Sequence, residues 1–82
     1  MTFLERYQKE TTWWGKVIIM EIFHLHAISK NKDWTLGQTA EVFDCSVALV
    51  SENLKLAQAA NKIPGIYNHE TRASALAKLR RI

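Results

Sequence analysis

Cysteine, proline and glycine are scarce in this chain of 82 residues, which holds one Cys, one Pro and three Gly. The lone Cys45 excludes an intramolecular disulfide framework, and with it the small stapled folds of secreted proteins. So little Pro and Gly leaves few tight turns, which argues against a run of short strands joined by hairpins. No apolar stretch approaches the roughly 20 residues that cross a bilayer, and no leader pattern opens the chain. The expectation is a soluble, cytoplasmic domain with no membrane partner. Glycine-rich phosphate loops, nucleophile elbows and paired-carboxylate signatures are also missing, so neither an enzyme, a cofactor nor a small-molecule substrate is expected. His24 and His26 stand two apart, a spacing that sends them to different sides of a helix, and His69 is distant in sequence; no metal site is expected.

What remains favours helix. Nine Ala and eight Leu, 48% hydrophobic residues and 23% charged ones describe a globular all-α domain. The length allows a single domain, residues 1–82. The net charge of +3 is mild, but unevenly placed. Residues 34–45 carry Glu41 and Asp44 without a Lys or Arg, whereas residues 61–82 carry Lys62, Arg72, Lys78, Arg80 and Arg81 against Glu70 alone. A basic C-terminal stretch can touch phosphates; cations at a helix C-terminus are equally explained by the helix dipole.

Residues 1–11 form a short mixed segment with Phe3, Leu4 and Tyr7 on one side, expected to be a frayed or loosely docked helix. From Thr12 a long apolar helix follows, with Trp13, Trp14, Val17, Ile18, Ile19, Met20, Ile22, Phe23, Leu25 and Ile28. Its few polar residues mark out no wide solvated face, and a helix apolar nearly all round must be covered on more than one side. Trp13, Trp14 and Ile18 are therefore candidate interface residues. Adjacent residues diverge by about 100° on a helix, so at most one of the two tryptophans lies centrally in the core.

Asn31, Lys32 and Asp33 break that helix. Thr35, Leu36, Gly37 and Gln38 then spell a capping box, with Trp34 in the staple position before it. The spacing predicts a helix over about 36–43, with Ala40 and Phe43 inward. A tight turn through Asp44 and Cys45 follows, and then a second helix capped by Ser46 that fades at Asn61. Ile63, Pro64 and Gly65 break the chain again. A basic C-terminal helix is expected within 66–82, beginning near Asn68 or His69. The architecture is thus four to five helices around a helix-turn-helix at 34–60, whose second helix can enter the major groove of DNA.

That segment resembles the helix-turn-helix of ParB-like partition proteins and their phage and plasmid relatives. The resemblance rests on Thr35, Gln38, Ala40, Phe43, Ser46, Val50, Ser51 and the run Leu54, Lys55, Leu56, Ala57, and covers about a third of the chain well. It departs from the pattern at Asp44, where Gly is usual. It implies a recognition helix beginning at Ser46, with Ser46, Val47, Ala48, Ser51, Glu52 and Lys55 toward the groove. Thr35 and Gln38 would meet phosphate at the preceding helix N-terminus. Glu52 would accept from a cytosine amino group, and Val47 and Ala48 would pack on thymine methyls. Lys62, Arg72, Arg80 and Arg81 are candidates for further phosphate contacts. Nothing resembles that family's nucleotide-binding domain, so no nuclease or CTP-hydrolysing role is carried over.

The resulting expectation is a non-catalytic duplex-DNA-binding protein, acting as a homodimer or in a larger assembly, in partition or transcriptional control. Two other uses fit the same residues: an interaction and assembly module working through the apolar helix 13–28, and a DNA-packaging adaptor. Glu52 also has a plainer reading, as a solvated side chain or a partner of Lys55 one helical turn on.

Overall fold

The computed structural model describes residues 2–81; Met1 and Ile82, the outer ends of the two terminal segments considered above, lie outside the described residues. Among the described residues the fold is all-α, with five helices: α1 (Phe3–Lys9), α2 (Trp13–Lys30), α3 (Leu36–Phe43), α4 (Val47–Ala60) and α5 (Arg72–Arg80). A single 3-10 turn, Ile66–Asn68, precedes α5.

Each α-helix begins where a threonine or serine hydroxyl takes up an amide that the helix itself leaves unpaired. Thr2, Thr12, Thr35, Ser46 and Thr71 accept from the amides of Glu5, Gly15, Gln38, Leu49 and Ser74 respectively. The first and third of these are reciprocal boxes, closed by the carboxylate of Glu5 and the amide oxygen of Gln38.

The N-terminal segment rests on its aromatic side. Phe3 packs edge-on to Phe23 at 5.3 Å between ring centroids, and Tyr7 lies 5.1 Å from Phe43. Lys16 donates to the Tyr7 carbonyl and sits 4.4 Å above its ring. The aromatic side of α1 thus docks against α2 and α3, with none of its residues fully buried.

The C-terminal expectation needs correction. Residues 66–68 form only the 3-10 turn, entered through Gly65 at φ 85°, a left-handed conformation that glycine adopts without a Cβ clash. His69 is extended, and the helix starts at Arg72 because Thr71 supplies the cap.

Two apolar clusters make the core, and α2 and α4 contribute to both. Val17, Leu56, Ala57, Ile66 and Ala75 form one, with Trp13 and Tyr67 against it. Met20, Ala40, Phe43 and Val50 form the other, with Phe23 and the aromatic residues of α1 packed around it. At their junction the buried Asn53 amide donates to the Met20 sulfur at 3.4 Å.

Candidate nucleic-acid interface

The turn between α3 and α4 sets the geometry of this region. Past the end of α3 the Asp44 amide donates to the Glu41 carbonyl at 3.3 Å and the Cys45 amide to the Ala40 carbonyl at 3.0 Å. This pair of bonds is the Schellman closure, which requires a left-handed residue. Asp44 provides it at φ 53°, ψ 52°, a conformation that aspartate tolerates better than most residues with a Cβ. The departure from glycine in the sequence thus leaves the turn geometry intact. Cys45 folds back half-buried toward Ala40, in the same cluster as Val50, and Ser46 opens α4 by accepting from the Leu49 amide at 3.1 Å.

Val50, Asn53, Leu56 and Ala57 bury the inner face of α4. Its outer face is left open. Val47, Ala48, Lys55 and Gln58 are exposed and Ser51 is half-exposed, all within one stripe at helical spacing, and Lys62 is exposed in the turn just beyond it. Five of the groove positions expected from the sequence, Ser46, Val47, Ala48, Ser51 and Lys55, are brought together there; Gln58 joins them. Gln58 was legible as two turns after Ser51 but lies past the motif's early residues. Lys55 and Lys62 also border an open groove of about 400 Å³ against Ile63 and Leu79 of the C-terminal region.

Glu52 does not belong to that stripe. Its carboxylate accepts from Arg72 at 2.9 Å and lies 3.8 Å from Arg80. Pairing is with α5, not with Lys55 as the plainer reading had it. Arg72 is correspondingly committed: its Nε donates to the Asn53 Oδ1 at 2.6 Å, and its terminal nitrogen also reaches the Leu49 carbonyl at 3.5 Å. These bonds brace α5 on α4 and occupy the guanidinium that the sequence offered for a phosphate contact. Arg80 and Arg81 are exposed at the end of α5, and Lys62 stands at the end of α4.

At the start of α3, Thr35 and Gln38 satisfy each other, with the Thr35 amide donating to Gln38 Oε1 at 2.8 Å. The amides of Leu36 and Gly37 are the first of the helix and have no carbonyl a turn earlier to accept from them. A Cβ on Gly37 would meet nothing nearer than the Thr35 hydroxyl, at 3.7 Å. A phosphate oxygen can approach the backbone closely there.

Behind α3 lies a buried polar trio. The Trp34 indole donates to the Thr39 hydroxyl oxygen at 2.8 Å, and Thr39 stands 2.6 Å from His24 Nδ1. With the indole donating to it, the Thr39 hydroxyl can direct its own proton to His24, which is then neutral with its proton on Nε2. The staple position occupied by Trp34 thus becomes a hydrogen-bonded tie. Burial pushes the His24 pKa below the usual histidine value. An unfolded chain then binds a proton that the folded one refuses, so the contribution is complete above about pH 6.5 and is lost as pH falls through the folded value. The melting temperature is expected to drop between pH 7 and pH 5.5, and His24→Gln to remove most of that drop. Equal drops in both proteins would show that His24 is not the group responsible.

Burial and the adjacent Asp44 carboxylate push the Cys45 thiol up, the opposite of an activated nucleophile. Among the described residues no three His, Cys, Asp or Glu side chains gather as a metal cage, and no helix is long and apolar enough to cross a membrane. Comparison with protein-family models, curated proteins and solved structures finds no match to this chain.

Proposed function

We propose that this domain binds duplex DNA without performing chemistry, laying the outer face of α4 in the major groove. The observation that carries the reading is that open stripe, Val47, Ala48, Ser51, Lys55 and Gln58 with Lys62 just beyond it, on a helix fixed at its start by the left-handed turn. Small residues at its leading end allow close approach to base edges, where Val47 and Ala48 suit thymine methyls. Ser51 and Gln58 are donors and acceptors, and Lys55 reaches guanine or phosphate. The leading amides of α3 suit a backbone phosphate. Use in partition or transcriptional control is proposed on the helix-turn-helix resemblance.

Of the cations expected from the sequence to meet phosphate, Arg72 is engaged internally and Lys55, Lys62, Arg80 and Arg81 remain exposed. About four contacts predict that log affinity falls against log salt with a slope near −3 to −4. Anisotropy titrations of random-sequence duplex at several salt concentrations measure it. Lys55→Ala and Lys62→Ala are each expected to weaken binding and to make the slope shallower by about 1. No binding at low salt, or slopes unchanged in both variants, would overturn the reading.

A further inference from the structure

The face of α2 turned away from the core is apolar along most of its length. Trp14, Ile18, Ile22, Leu25 and Ile28 succeed one another at intervals of three or four residues, hence on one side of the helix, over about 21 Å. Trp14 is 41% exposed, Ile22 51%, Leu25 58% and Ile28 38%, and Ile18 is half-buried. A core needs no such stripe: Val17, Met20, His24 and Ala27 already bury the opposite side.

We propose that a second copy of this chain covers the stripe, α2 against α2 and antiparallel about a two-fold axis near Glu21 and Ile22. Three features favour a second copy. The first is symmetry: a two-fold interface must be self-complementary, and reversing the stripe about its middle sets apolar side chains against apolar side chains throughout. Reversal about residues 21–22 sets Ile18 opposite Leu25 of the partner subunit and brings Trp14 near Ile28 of the partner subunit and each Ile22 near its own copy, within about one residue of register.

The second feature is charge. Glu70, next to the His69 carbonyl that holds the Trp13 indole at 2.9 Å, lies at the N-terminal end of α2, and Lys30 and Lys32 lie at its C-terminal end. An antiparallel pair brings unlike ends together and also opposes the helix dipoles favourably. The third is area. The exposed parts of these side chains amount to roughly 400 Å² per chain. Two copies together cover about 800 Å² of it, the size of a weak, reversible contact. The dimer is therefore expected to be reversible, with partial dissociation at low concentration.

The proposal does not depend on DNA contact by α4. Sedimentation equilibrium of the whole chain should give a mass above 9.4 kDa that rises with concentration toward twice that value. Ile22→Glu and Leu25→Glu place charge on an already exposed face. Each is expected to raise the dimer dissociation constant at least tenfold, with the helical circular dichroism unchanged. A register test uses Ile22→Cys in a Cys45→Ser background, which should form a disulfide-linked dimer under mild oxidation, whereas Thr11→Cys should not. A wild-type chain that stays monomeric at about 100 μM, or a dimer indifferent to both glutamates, overturns the proposal. A dimer that resists the glutamates while Ile22→Cys fails to cross-link assigns association to another face and also overturns it. In each of those cases the salt dependence of DNA binding still reports on α4 separately.

Discussion

Truncating Phe43 to Ala is expected to cost about 3–5 kcal/mol, against a total stability of roughly 4–12 kcal/mol for a domain of this length. The buried ring is the meeting point of the first three helices: it closes α3, lies 5.1 Å from Tyr7 of α1 and meets Phe23 of α2 edge-on at 5.3 Å. Its removal opens a cavity that the helices cannot all collapse into, because α1 is also held through Phe3 and α2 through α4. Urea unfolding followed by far-ultraviolet circular dichroism reads the effect as a large fall in midpoint with little change in slope. Phe43→Leu keeps much of the volume and should cost about 1–2 kcal/mol. Equal midpoints for the wild type and Phe43→Ala would contradict the packing described.

Arg72→Ala is expected to destabilise the domain by about 2–3 kcal/mol. The Glu52 pair alone is partly exposed and worth at most about 1 kcal/mol. The larger effect comes from Asn53, which is buried and accepts from Arg72 Nε at 2.6 Å; without that donor its oxygen is left unpaired, at a cost of about 1–3 kcal/mol. Lys at this position should not restore stability, because a single ammonium lacks the fork that serves Asn53, Glu52 and the Leu49 carbonyl together. The same variant separates bracing from DNA contact. A brace loses stability and leaves the salt slope intact at temperatures where the domain is folded. A phosphate ligand leaves stability intact and makes the slope shallower.

Residues with local partners were legible in the sequence. Thr35 with Gln38, and Ser46 ahead of an aliphatic run, place the starts of α3 and α4 because a cap and its amide lie within one turn. Ala40, Phe43 and Val50 follow from helical spacing and are buried as that spacing demands. The expected start of α5, near Asn68 or His69, falls too early, although the Thr71 hydroxyl that caps it lies within one turn of the Ser74 amide it serves. The Glu52–Arg72 bond spans 20 residues, so no local pattern announces it; the charged Lys55 one turn away offers a nearer but unused partner. On α2 the period could not say which side faces the core, because nearly every side is apolar. The structure answers by burying Met20 and His24 and leaving Ile22 and Leu25 outside. The tryptophans divide in the same way, Trp13 packed 5.9 Å from the Tyr67 ring and Trp14 41% exposed with its ring 6.4 Å from that of Tyr67.

That division gives the chain three built-in optical probes. Trp13 sits in the core cluster of Val17 and Ile66, Trp14 lies on the open side of α2, and the Trp34 indole is bound to the Thr39 hydroxyl. In versions retaining one indole each, emission from Trp14 should move to shorter wavelength when its surroundings are dried by another surface. Trp13 follows the integrity of the interior, and Trp34 registers the charge on His24 across one shared hydroxyl. Assembly, unfolding and protonation can thus be told apart by colour, each in its own single-indole version, without adding a dye.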